Sequence, residues 1–174
     1  MRCQMSNAAN PFWEFSLSVY GMPGVAPECL ELQERAGINV MLLLFAAYSG
    51  ARGVALTDSD IVECVAVTEP LHSSVVIPLR MMRRELKELR PESDGGHLEQ
   101  MRNRIKSLEL DAEQLIGENL FEVFKVRIAG RSLNPPTDQI PGNVARLLQL
   151  TASGPATVGN CFKLLQASIS KAGG

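Results

Sequence analysis

Residues Ile38 to Tyr48 read INVMLLLFAAY, and Val40 to Ala47 within them is unbroken apolar sequence. Taken as a helix, this stretch is apolar on every side and has to be surrounded by protein. It is far shorter than the ~20 apolar residues that cross a bilayer. We read it as the central helix of an all-α fold, with the remaining helices packed around it.

The rest of the chain suits that role. Its 174 residues, 45% hydrophobic and 21% charged, are enough for one domain with a real core and a small appendage. A net charge of −2 gives no general attraction to nucleic acid or to an anionic membrane. The opening MRCQMSNAAN lacks the apolar region of a signal peptide, and no stretch approaches a membrane span, so a cytoplasmic location is expected. Cys3, Cys29, Cys64 and Cys161 lie far apart with no zinc-like spacing, and the last three fall among apolar residues as reduced core positions. Charge is blocked along the chain: net −5 over residues 1–70, +3 over 71–106, −3 over 107–130 and +3 over 131–174. Such blocks satisfy one another when the helices pack.

In order, residues 1–9 are expected to be disordered, and Asn10-Pro11 starts a helix that runs to Tyr20, with Phe12, Phe15 and Val19 inward. A second helix spans Val25 to Ala36, closed by Gly37. After the central helix, Thr57 to Asp60 (TDSD) starts a fourth that runs to Thr68, with Ile61, Val62, Val65 and Ala66 inward and Pro70 as its break or bend. His72, Val75, Leu79, Met82, Leu86 and Leu89 then recur at steps of three and four, as do Leu98, Met101, Ile105, Leu108, Ala112 and Leu115 beyond the turn-like Pro91 to Gly96. This predicts a long antiparallel helical hairpin, with Leu89 opposite Leu98, Met82 opposite Ile105 and His72 opposite Leu115. Pro78 conflicts with it, since a proline inside a helix costs ~3 kcal/mol or more, so a kink at 74–78 or a restart at Pro78 is expected. The helical domain is placed at 10–128 and a linker at 129–139. A two-helix tail at 140–171 (Ile140–Ala152 and Pro155–Ile169) docks on the main domain or on a partner. Val158, Cys161, Phe162, Leu165 and Ile169 form the apolar face of its second helix.

Trp13 and Phe15, Pro23 to Val25, Cys29 to Gln33, Leu42 to Phe45, Pro78 to Arg84 and Glu109 to Glu113 together form a pattern over about residues 10–120. In these motifs the chain resembles an uncharacterised bacterial family, a domain of unknown function. The resemblance implies a helical bacterial cytoplasmic protein and supplies no activity, substrate or site; the tail after residue 130 lies outside it.

Candidate functional residues come from the hairpin and its neighbours. Arg80, Arg83, Arg84 and Arg90 on the first arm and Arg102 on the second make a basic cluster, extended by Lys87, Arg104 and Lys106. The expected register pairs Glu85 with Arg104 but sets Arg83 against Arg102. That like-charge contact calls for an acid from Glu28, Glu31 or Glu34, from a partner, or from an anionic ligand. Glu109 and Glu113, spaced i, i+4, share one helix stripe and pair with arginines or, as in di-metal bundles, hold metal. The matching Glu-x-x-His motifs are missing, since Glu69 to His72 is a single instance at a proline bend, so no metal and no cofactor is expected. His72 on the seam is a candidate proton carrier or ligand, read first as a structural histidine hydrogen-bonded to Glu69 or a backbone carbonyl. Trp13 and Gln33 either line a pocket or anchor a helix and cap a neighbour. No nucleophile-elbow, phosphate-loop, dinucleotide or zinc-protease motif is present.

The leading reading is a non-enzymatic protein interaction module, with a protein partner or a second copy of the chain. The other is small anionic-ligand binding, or an enzymatic function, using the arginine cluster beside the central helix. Nucleic acid and membrane are not expected partners.

Overall fold

The computed structural model describes residues 10–89, 96–131 and 136–172, with the side chains of 136–138 and 172 excepted. The expected N-terminal disorder, Arg90, most of the hairpin turn and the middle of the linker lie outside the described residues. The fold is all-α: α1 (Pro11–Tyr20), α2 (Val25–Ala36), α3 (Val40–Ala51), α4 (Asp58–Leu71), α5 (Ile77–Glu88), α6 (His97–Val123), α7 (Pro136–Thr151) and α8 (Phe162–Ala172).

The helix ends follow from short polar side chains. Asn10 Oδ1 accepts from the amides of Phe12 and Trp13 at 3.1 Å each. Thr57 and Asp60 form a reciprocal capping box on α4. Gly37 closes α2 at φ 65°, a conformation that costs a side-chain-bearing residue.

Helix α3 is the axis of the molecule. Every residue from Met41 to Gly50 is buried. On one side, edge-to-face and tilted ring contacts join Phe12, Phe45, Tyr48 and Phe124. On another lies α7, so close that a β-carbon on Gly50 would stand 2.6 Å from the Ile140 backbone. Asn143 of α7 is buried and fully used: it accepts from the Leu56 amide at 2.8 Å and donates to the carbonyls of Val54 (2.8 Å) and Ala46 (3.2 Å). Ser153 returns the chain to α2, donating its amide and hydroxyl to the Ala36 carbonyl. Glu28 of α2 receives the Lys163 and Leu164 amides and so caps α8 from outside it. The tail helices are thus built into the core around α3.

Several local expectations are corrected. The chain stays helical through Pro70, which lies on an exposed face where water can reach the carbonyl it leaves without a donor. A single π-helical turn, His72–Val76, follows, in which the Ile77 amide reaches back to the His72 carbonyl. This wider turn sets Pro78 into the first turn of α5, where no donor is missed. The run Asp58–Glu88 is therefore 31 residues long and, by length and composition, apolar enough to cross a membrane. From the sequence the fourth helix is expected to end at Thr68, with Pro70 as a break or bend, and no such stretch is expected. Its Ile61, Cys64, Thr68 and Val76 are buried in the core. Val62 and Ala66 point outward, with Cys64 and Thr68 taking the inward positions. In α8 the buried face is Leu164, Ala167 and Ser168, behind Cys161 of a preceding 3-10 turn, while Phe162 and Ile169 are exposed.

The hairpin forms, in a shifted register. Leu79, Leu86, Leu98, Ile105 and Ala112 face the seam, but Met82, Leu89, Met101, Leu108 and Leu115 are exposed. The middle of the seam is occupied by Arg83 and the buried Glu109 instead of leucines. Adjacent helix stripes share three- and four-residue spacings, so an apolar periodicity alone assigned residues of both stripes to one seam.

Charge blocks do answer one another across the fold. Asp58 pairs with Arg146, Asp60 with Arg131 and Glu63 with Arg127, tying α4 to the chain's later basic residues.

Candidate functional site

Three helices each contribute a stripe at helical spacing to one cleft. Trp13, Ser16, Leu17 and Tyr20 come from α1, Arg80, Arg83 and Arg84 from α5, and Lys106, Glu109, Leu110 and Glu113 from α6. The first turns of the central helix supply the floor through Val40, Met41 and Leu44, and α2 closes one side with Leu30 and Gln33. The cavity holds about 300 Å³, the lower end of the range for small-molecule sites. Its walls are largely apolar and its polar groups gather along the hairpin.

The ion network at that edge is compact. Arg80 donates through Nε to Glu109 Oε1 at 2.7 Å and through Nη2 to Glu113 Oε1 at 2.9 Å. Arg83 donates through Nε to Glu109 Oε2 at 2.8 Å. Both oxygens of the buried Glu109 therefore hold a guanidinium, which fixes two arginines at the cleft edge. Arg84, further out, reaches Glu34 of α2 at 2.8 Å. Lys106 has no ion-pair or hydrogen-bond partner among the described residues.

The two carboxyls respond in opposite directions. For Glu109, burial pushes the pKa up, but the hydrogen bonds from Arg83 and Arg80 outweigh it and hold the group below its ordinary value. For Glu113, burial raises the pKa and Arg80 opposes it; the Glu109 charge adds to the rise and the group ends above its ordinary value. Tyr20 is raised as well, by burial first, then by Cys29 and Glu113.

Of the residues singled out in the sequence, Trp13, Gln33, Arg80, Arg83, Arg84, Glu109 and Glu113 line this one cleft. His72 does not join them, nor does it face Leu115. It sits in the π-helical turn and lines a separate hollow with Asn39, Leu42, Val65 and Glu69. Burial, and then the nearby Arg80, lower its pKa, with Glu69 opposing. Arg102 pairs with Glu99 one turn away on α6, and the expected Arg83–Arg102 contact is replaced by Arg83–Glu109. No ion pair joins Glu85 and Arg104 among the described residues, because their flanks point away from each other. Arg90 lies outside those residues. Lys106, read from the sequence as an extension of the basic cluster, lines the cleft too; Tyr20 was not singled out, although its spacing, 13-16-20, carries the signal. Among the described residues no group of three or more His, Cys, Asp or Glu side chains is placed to hold a metal. Burial pushes the thiols of Cys29, Cys64 and Cys161 up to about 12, so they are unreactive core residues.

A family model described as "Protein of unknown function (DUF2390)" matches residues 11–120, and the chain belongs to that family. The match takes in α1 to α5 and most of α6, hence every cleft residue, and leaves out α7 and α8. Comparison with curated proteins and with solved structures found no match.

Proposed function

We propose that this member of the family binds a small molecule with an apolar body and an anionic head in the cleft between α1, α3 and the hairpin. The observation that carries the reading is the pair of guanidinium groups, Arg80 and Arg83, fixed by one buried carboxylate at the edge of an apolar cavity. Arg80, Arg83, Arg84 and Lys106 outnumber Glu109 and Glu113 in the lining, so the site has a cationic surplus. Arg83 engages Glu109 through Nε, and its Nη groups remain for a head group. An apolar cavity with a few fixed polar groups is the usual form of a small-ligand site.

The test uses decanoate and decanol as probes in calorimetric titration of the full chain. Decanoate should bind more tightly than decanol, and both Lys106→Ala and Arg83→Ala should remove that preference in a protein that keeps its helical circular dichroism spectrum, with the melt in place for Lys106→Ala and lowered for Arg83→Ala, which takes a partner from the buried Glu109. Equal binding of the two probes, or a preference that survives both substitutions, would reject the reading.

A further inference from the structure

The apolar residues that the hairpin leaves outside its seam are not scattered. Met82 on α5, Leu89 at its C-cap, and Met101, Leu108 and Leu115 on α6 are between 43% and 58% exposed. Within each helix they repeat every seven residues, the spacing of a coiled-coil stripe. Helical rotation places Met82 and Leu89 on the flank of α5 opposite Arg80 and Arg84, and Met101, Leu108 and Leu115 on the flank of α6 opposite Lys106 and Glu113. Both stripes therefore lie on the face of the hairpin turned away from the cleft. In the register set by the Arg80–Glu109 and Arg83–Glu109 contacts, Leu89 stands level with Met101 and Met82 with Leu108. The face is made of matched apolar layers.

At one height its edges carry opposite charges. Glu85 lies on the outer edge of α5 and Arg104 on the outer edge of α6, at the same height. Both are exposed, and neither has an ion-pair partner among the described residues. They are separated by the width of the face and do not pair within the chain.

We infer that this face is an interface for a second copy of the chain, the two hairpins forming a four-helix arrangement with α5 of each copy over α6 of the other. Charge selects both the occupant and the arrangement. A two-fold axis running along the hairpin keeps every residue at its own height and exchanges the two edges. It brings Glu85 of each copy to Arg104 of the other, twice, while the Met and Leu layers interleave between them. The proposal stands apart from the cleft, which opens on the other side and stays accessible in the dimer.

Sedimentation equilibrium of the full chain across the micromolar range tests it. The wild-type protein should approach twice the 19.0 kDa of the chain. Leu108→Glu, at a position exposed in the free chain, should give a monomer with an unchanged far-ultraviolet circular dichroism spectrum. Arg104→Glu should weaken the dimer about tenfold, and the double variant Glu85→Arg/Arg104→Glu should restore it. A wild-type monomer throughout, or a Leu108→Glu protein that stays dimeric, would overturn the interface. Mass gained only on adding phospholipid vesicles or another protein would equally overturn it and assign the face to that occupant. A double variant no stronger than Arg104→Glu would overturn the proposed axis.

Discussion

Arg83 donates through Nε to Glu109 Oε2 at 2.8 Å, from one arm of the hairpin to the other, and the second oxygen of the same carboxylate holds Arg80. This contact fixes the hairpin register and shapes the cleft edge together. Glu109→Gln keeps the side-chain shape and removes the charge that two guanidinium groups answer. Breaking a fully buried pair costs about 3–5 kcal/mol. Arg83 remains 29% exposed, so about 2–3 kcal/mol is expected in urea denaturation. Glu99→Gln, in the exposed pair with Arg102, should change stability by about 0.5 kcal/mol or less. Equal losses for the two substitutions would remove Glu109 from this role.

The same network makes stability depend on pH in two opposed ways. Glu109 is held below its ordinary value of 4.5, so its contribution is full above that value and lost as pH falls through the native pKa. Glu113 is raised above 4.5, so its contribution is full below that value and lost as pH rises through the native pKa. Glu113→Gln should flatten the stability profile above pH 4.5, and Glu109→Gln should flatten it on the acid side. Urea unfolding at a series of pH values reads both. Parallel profiles for wild type and Glu113→Gln would mean that the carboxyl is not held as described.

Asn143 joins α7 to the end of α3 through its three hydrogen bonds to Leu56, Val54 and Ala46. Asn143→Ala leaves the Leu56 amide and the Val54 carbonyl without partners in a buried site, while the Ala46 carbonyl keeps its place in the α3 helix. At about 1 kcal/mol each, the loss should be about 2 kcal/mol. The Leu56 amide should also lose its protection from hydrogen exchange. Retained protection at Leu56 would show that the bond does not hold this loop.

Two glycines give opposite expectations for the same substitution. Gly50→Ala would place a β-carbon 2.6 Å from the Ile140 backbone, and neither helix can move without disturbing the core. A loss of about 1–3 kcal/mol is expected. Gly142, inside α7, has nothing within 4 Å of that position. Gly142→Ala should stabilise by up to about 1 kcal/mol through helix propensity. Melting temperatures that fall for both would place α7 closer to a neighbour than described.

Sequence alone determined the helix starts at Asn10 and Thr57, the helix end at Gly37 and the central helix. Caps such as Asn10, Thr57 and Gly37 act within a few residues, and an apolar run like Val40 to Ala47 has no side that water can occupy, so both are local consequences of residue type. The arginine cluster and the Glu109–Glu113 stripe were likewise visible as charge at helical spacing. Tertiary structure decided which of two adjacent stripes on each hairpin arm turned inward. Leu108 and Glu109 differ by one residue, and the spacing fits either; burial of Glu109 is favourable only because Arg80 and Arg83 arrive from the other helix to neutralise it. It also decided that Trp13, Gln33 and the hairpin charges, far apart along the chain, meet over the first turns of α3, and that His72 does not. Those outcomes depend on how whole helices are set against one another, and no single helix carries that information in its own periodicity.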